Sequence, residues 1–330
     1  MPPVVSVLVT NYNHARFLRR RLDSILGQTF QPIEIIVLDD ASSDNSRDLM
    51  KDYAQRHSMQ LVFNESNSGS PFIQWRRGAQ LAMGKYIWIA ESDDFADPRL
   101  LEVLVSRMEA RPNVGLVYCQ SFLVDENDRV TGKYNFIRAD LNPSRWDRDF
   151  DNNGRDEVAN YLFSQNTIPN ASAVLVNKSL LLSASEHTAD MRLMGDWWTW
   201  ARVLMESDVS FVAEPLNFFR MHATSVRNST RRAVACAEAF RVMAHISSRV
   251  KVPSAIRRRA VREGFGGVWA YLDSPTTSPD AHWCRDVLRS AEAIHWSARS
   301  RLVYLKIKHQ LKRIPFLTRT VRCWRRIWGN

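Results

Sequence analysis

Three carboxylates crowd four positions at Glu91-Ser92-Asp93-Asp94, directly after the apolar run Tyr86-Ile87-Trp88-Ile89-Ala90. A run of that length reads as a buried strand, so the acids fall at its carboxyl end. Like charges held side by side cost free energy unless a cation offsets them. Hard oxygen ligands in so tight a group suit Mg2+ or Mn2+, which bind through one or two carboxylates together with a substrate phosphate. The plainer alternative is a solvated acidic loop, common after strands. Two further polar clusters sit in the same relation to a strand-like run: Thr10-Asn11-Tyr12-Asn13 after Val4–Val9, and Asp39-Asp40 after Glu34–Leu38. Downstream, Met194-Gly195-Asp196-Trp197-Trp198-Thr199-Trp200 sets one carboxylate at the start of a helical pattern. There it can cap the helix.

The elements that must position these residues alternate along the chain. Helical spacing over 16–25 puts Phe17, Leu18, Leu22 and Ile25 on one face. Ser43 or Asp44 can cap a helix through Leu49 and Tyr53. Leu61–Phe63 reads as a third strand, and 72–82 as a helix ended at Gly84. A helix follows Pro98, then a strand at 114–118 and another at 171–176. Residues 119–165 read as irregular, 196–205 as a helix, and 209–212 and 216–219 as two short strands. Beyond Asn228 the pattern is helical, with breaks at Pro253, Gly264–Gly267, Pro275–Pro279 and Pro315. Strand–helix alternation of this kind predicts an α/β fold with a mostly parallel central sheet and a C-terminal helical extension. In such sheets ligands bind beyond the carboxyl ends of the strands, where the three polar clusters converge.

Composition limits the function classes. At 45% apolar and 24% charged residues the chain is globular rather than disordered. No apolar run approaches the ~18 residues that cross a bilayer, and the start of the chain has no signal-peptide pattern. Cys119, Cys236, Cys284 and Cys323 have no metal-ligand spacing, which predicts reduced thiols in a cytoplasmic protein. The net charge of +10 arises after Glu292, where ten Lys and Arg meet no acid. The rest of the chain is formally neutral, so the charge is no argument for nucleic-acid binding.

Taken in order, Val-Ser-Val-Leu-Val-Thr-Asn-Tyr-Asn, Leu-Asp-Asp-Ala-Ser-Ser-Asp, and Gly84-Lys85-Tyr86-Ile87 leading to Glu-Ser-Asp-Asp closely resemble family 2 glycosyltransferases of the GT-A fold. The resemblance covers residues 4 to about 228 and implies an inverting transfer of a sugar from a nucleoside diphosphate, with Mg2+ or Mn2+. It implies that Thr10 and Tyr12 line the nucleotide, with a lean to a uracil-type base, and that Asp40, with Asp39 beside it, bonds the base. Asp93 would face the ribose or the metal, Asp94 would be the direct metal ligand, and Glu91 would stand where many relatives carry Asp. Asp196 would be the general base, with Gly195 in place of a common Glu and the tryptophans forming a sugar platform or a desolvating wall. Glu214-Pro215-Leu216-Asn217-Phe218-Phe219-Arg220-Met221-His222 resembles the family's Tyr-Arg-x-His stretch, so Arg220 or His222 would meet the diphosphate and His222 would add a metal contact. Asn166–Ala173 resembles an acceptor-side segment.

These readings divide the chain into a glycosyltransferase domain at 1–228, a helical extension at 229–298 and a basic tail at 299–330. In the tail Val303, Ile307, Leu311 and Ile314, then Leu317, Val321, Trp324 and Trp328, recur at helical spacing opposite basic residues. Such amphipathic segments lie on anionic membranes, which predicts peripheral contact with the inner face of the cell membrane. A saccharide or lipid-linked acceptor, in cell-surface polysaccharide or glycolipid assembly, is the corresponding expectation. A processive synthase would need membrane spans and Gln-x-x-Arg-Trp, of which Gln74-Trp75-Arg76-Arg77 only scrambles the letters. A nucleotidyltransferase or a dinucleotide oxidoreductase would need a Gly-rich loop where Asn11-Tyr12-Asn13-His14 stands. The remaining alternative is a non-catalytic binding protein for membrane or nucleic acid.

Overall fold

Val5–Asn11 (β1) is buried at every position, as the continuous apolar run requires of a strand covered on both faces. The computed structural model describes residues 3–134, 144–222, 232–272, 281–295 and 298. The chain divides into two compact units, Met1–Ser229 and Thr230–Asn330. The first is built on one sheet. Ile33–Asp39 (β2) and Tyr86–Ile89 (β4) flank β1 in parallel, and Gln60–Phe63 (β3) extends the edge beyond β2. Val174–Asn177 (β9) runs antiparallel between β4 and Val114–Val124 (β6), which in turn pairs in parallel with Asp208–Arg220 (β10). Strands β1, β2, β3, β4, β6 and β10 therefore share one direction, giving the mostly parallel sheet expected.

The helices cover this sheet with the faces their sequences mark. Ala15–Leu26 (α1) buries Phe17, Leu18, Leu22 and Ile25, and Arg21 lies on the same buried face. Ser46–Arg56 (α2), Pro71–Leu81 (α3) and Leu100–Glu109 (α4) follow β2, β3 and the acid turn. Asp44 does serve the start of α2, accepting from the Ser46 amide at 3.0 Å. Gly195–Glu206 (α7) must descend to the start of β10, which places its N-terminus at the rim where the parallel strands end.

Three expectations change and one strand is added. The described residues of 119–165 are not irregular: β6 continues to Val124, turns back as Val130–Lys133 (β7), and Phe150–Asn152 (β8) pairs with β10 before Gly154–Glu157 (α5). The two short strands at 209–219 are one strand with register shifts on either side of Pro215, which has no N–H for the ladder. Phe95–Ala96 forms a short strand (β5) antiparallel to β10. The Gly264–Gly267 break is absent, since a helix runs through it. Glycine costs only about 1 kcal/mol in a helix, and at Gly264 a Cβ would come within 2.7 Å of the Phe240 ring.

Lys178–Ala184 (α6) completes the first unit's helices. In the second unit, Arg232–Ser247 (α8) packs against both Ser254–Leu272 (α9) and Ala281–Ile294 (α10). The basic tail at 299–330 and the breaks at 275–279 and 315 lie outside the described residues. Among the described residues no helix is long and apolar enough to cross a membrane.

Candidate active site

The carboxyl ends of β1, β2, β4 and β10 meet at one rim, so residues distant in sequence become neighbours there. Asn11 ends β1 and its Nδ2 donates to Asp39 at the end of β2, at 3.0 Å. The Ser92 amide donates to the Thr10 carbonyl at 3.2 Å, fastening the acid turn to β1. Arg220 ends β10, and its backbone N–H donates to Asp94 Oδ1 at 2.9 Å. Two residues further, His222 Nε2 lies 3.0 Å from Asp93 Oδ2.

The acids of the turn have three different environments. Glu91 accepts from Thr10 Oγ1 at 2.6 Å and from Trp75 Nε1 at 2.8 Å, one bond on each oxygen. Burial raises its pKa to about 7, the Thr10 bond opposes the rise, and the charge of Asp93 adds to it. Asp94 is 2% exposed and faces the β10 backbone. Burial, then the charge of Asp93, raises it to about 6. Asp93 is held below the usual carboxylate range: burial alone would raise it, but the bond from His222 and the charges of both imidazoles prevail.

Asp93, His222 and His14 each offer a ligand atom, and these atoms all lie within 4.8 Å of one another. His14 Nδ1 is 2.9 Å from Ser92 Oγ, and such a bond on one ring nitrogen orients the other toward an ion. Burial lowers the pKa of His14, which favours the neutral, ligating form. Two imidazoles and a carboxylate so placed are a donor set that suits a divalent cation. The carboxylate beside the imidazoles is Asp93, while Asp94 Oδ1 accepts the Arg220 amide. Glu91, also expected as a ligand, accepts one bond on each oxygen, from Thr10 and from Trp75.

The Thr10 hydroxyl donates to Glu91. Asp39 is fully buried and accepts from Asn11, Ser42 and Arg47, tying the loop after β2. Burial would raise it, but these bonds hold it below its ordinary value. Asp40 accepts from Asn64, Ser68 and Gln74 and so holds the 64–70 loop. Arg220 is 2% exposed, with Nε on the Asp93 carbonyl at 2.7 Å, Nη1 on the Asp125 carbonyl at 2.7 Å and Nη2 on Asp128. It braces the turn instead of projecting toward a diphosphate. Tyr12, by contrast, is 47% exposed at the rim, open to a ligand base.

Asp196 stands in the first turn of α7. It accepts from the Trp197 amide at 2.7 Å and from Asn166 Nδ2 at 2.8 Å, while the N-cap position of α7 falls on Met194. Trp197, Trp198 and Trp200 are buried rather than displayed as a platform, and Trp200 stacks on Trp75 with centroids 5.7 Å apart. At Gly195 a Cβ would come within 2.4 Å of the Phe72 ring, which explains why no larger residue precedes Asp196. Contacts thus run from α7 through Phe72 and Trp75 to Glu91. Sequence reading missed His14, Ser92 and Arg21. Only Arg21 carried a local signal, a charge at i+3 from Leu18 and i+4 before Ile25 on an apolar face.

The family model described as glycosyl transferase family 2 matches residues 6–167. The glycosyltransferase GlyG of Streptococcus pneumoniae is 31% identical over 128 residues, covering 39% of this chain and 42% of that protein. The match thus spans less than half of the relative's length. Among solved structures, S. aureus TarS in complex with UDP-GlcNAc superposes with a TM-score of 0.66 at 15% identity, over 94% of this chain and 88% of that one. The mannosyltransferase PcManGT from Pyrobaculum calidifontis, in complex with GDP-Man and Mn2+, gives 0.55 at 16% identity over the same shares. At these identities the likeness is one of fold.

Proposed function

The chain belongs to glycosyl transferase family 2 through residues 6–167, and from that premise we propose that it transfers a sugar from a nucleoside diphosphate to an acceptor hydroxyl with inversion. The observation that carries the reading is the meeting of Asp93, His222 and His14 at the same rim as Tyr12 and the α7 N-terminus. In the proposed arrangement Tyr12 packs on the donor base, and Asp39 and Asp40 hold the loops that shape the nucleotide cleft. Asp93 and His222, with His14, are the residues that would hold Mg2+ or Mn2+. Such an ion supplies neutralisation of charge on the departing nucleoside diphosphate. The TarS and PcManGT complexes hold UDP-GlcNAc and GDP-Man, which supports a nucleotide-sugar donor without choosing the base.

Asp196 accepts the acceptor's hydroxyl proton as the oxygen attacks the anomeric carbon from the face opposite the diphosphate. Asn166, donating to one carboxylate oxygen, and the Trp197 amide, donating to the other, keep it aimed. The acceptor is proposed to be a saccharide or lipid-linked saccharide. The basic segment 299–330 would meet an anionic membrane, a reading supported by its sequence pattern. The test is a panel of nucleotide sugars with Mn2+, following release of the nucleoside diphosphate. Release from one donor class is expected. No release from any donor, together with no calorimetric binding of UDP or GDP in Mn2+, would overturn the reading.

A further inference from the structure

Arg21 is a charged side chain sealed inside the first unit. It is fully buried, and its guanidinium lies over the Trp88 ring with Cζ 5.4 Å from the centroid. Its Nε donates to the Glu91 carbonyl at 2.8 Å, so it holds the acid turn by the backbone. Both terminal nitrogens, Nη1 and Nη2, are buried with no hydrogen-bond partner. Leaving donors of a buried cation unsatisfied is costly, and an ordinary structural arginine would have paired them. The charges that act most on it are the carboxylates of Asp94, Asp93 and Glu91, in that order. The other buried guanidinium at the turn, Arg220, already has a partner of its own in Asp128. Arg21 is thus the cation whose charge is left to the turn's acids.

We propose that Arg21 is a fixed counter-cation beneath the acid turn, and that it makes binding of a divalent cation conditional on the donor's diphosphate. A buried positive charge offsets the crowded carboxylates when no metal is present, so the turn stays assembled. The same charge repels an incoming ion held by Asp93 and the two imidazoles. A diphosphate adds anionic oxygens on the open side, where they both ligate the ion and outweigh Arg21. Metal and nucleotide therefore enter together rather than in succession. This rests on the nucleotide-sugar reading given above. Arg21 touches neither donor nor ion and acts only as a positioning residue.

The decisive measurement is Mn2+ affinity by calorimetry, for the full chain, with and without UDP or GDP. Wild-type protein should bind Mn2+ alone at least about tenfold more weakly than with the nucleotide. Arg21→Met removes the charge, keeps the bulk over Trp88, and should bind Mn2+ alone roughly tenfold more tightly than wild type. Arg21→Lys, which keeps the charge, should remain close to wild type. A merely structural arginine gives the opposite result, because loosening the turn can only weaken the site. Equal or weaker Mn2+ binding by folded Arg21→Met overturns the proposal, as does tightening of equal size in Arg21→Lys. If Arg21→Met fails to fold, the wild-type comparison still decides: Mn2+ binding as tight alone as with UDP and GDP refutes it. Nucleotide binding with unchanged Arg21→Met affinity removes only this inference. Absence of any nucleotide binding removes the donor reading with it.

Discussion

His222 Nε2 lies 3.0 Å from Asp93 Oδ2, across a separation of 129 residues in the chain. The contact exists because β10 runs parallel to β6, and β6 shares the direction of β4, so the acid turn after β4 and the residues after β10 leave the sheet at one rim. Phe17 packs on His222 at 5.2 Å, which helps to fix the imidazole.

From this pairing, Asp93→Asn and His222→Ala should each weaken Mn2+ binding in the presence of UDP or GDP by at least about tenfold. Ser92→Ala, which frees the His14 ring, should cost roughly tenfold through loss of an outer hydrogen bond. Asp94→Asn should cost less than Asp93→Asn. Calorimetric titration compares all four. Equal losses for Asp93→Asn and Asp94→Asn would return the ligand role to both acids.

Asp196→Asn should leave nucleotide binding intact and lower transfer by about 10²–10⁴-fold, the usual contribution of a general base. Asn166→Ala, which removes the donor on one carboxylate oxygen, should lower turnover with little change in donor affinity. Donor dissociation constants and turnover on the active nucleotide sugar check both. Transfer at wild-type rate by Asp196→Asn would remove that residue as the general base.

Gly195→Ala should destabilise the protein by about 1–3 kcal/mol, because the new methyl meets the Phe72 ring in a filled space. In a Phe72→Leu background the same change should cost less, since the ring is gone. Urea unfolding of the four proteins gives the coupling. Additive losses would show that the ring is not the obstacle.

Asp39 supplies a pH dependence whose sign is fixed by its depressed pKa. Its ionised form is favoured in the folded protein, so its contribution is present above the ordinary value of 3.8 and is lost as pH falls through the lower folded value. Asp39→Asn should therefore cost about 1–3 kcal/mol at pH 7, where Arg47, Ser42 and Asn11 lose their acceptor. The difference from wild type should shrink below about pH 4. Denaturant midpoints at several pH values measure it, and a constant difference would refute the assignment.

Much of the fold was legible because its signals are local. Buried strands such as Val5–Asn11 are continuous apolar runs, and helices such as α1 and α4 show apolar residues at helical spacing. The stretch after Cys119 was not, since β7 and β8 are short, partly exposed strands whose order comes from pairing with β6 and β10. A pairing partner contributes no pattern to the segment it pairs with.

The crowding of Glu91, Asp93 and Asp94, the lone carboxylate at the start of α7, and the order of polar clusters after strands were determined by the sequence alone, because each depends on residues adjacent in the chain. Which acid stands beside the imidazoles was decided only by tertiary structure. Trp75 and Thr10 take Glu91, the β10 end takes Asp94, and Asp93 is left beside His222 and His14. The buried Arg21 beneath them follows the same rule. Three neighbouring carboxylates are alike as a string of letters, and they become different chemical groups once hydrogen bonds from distant strands and helices are shared out among them.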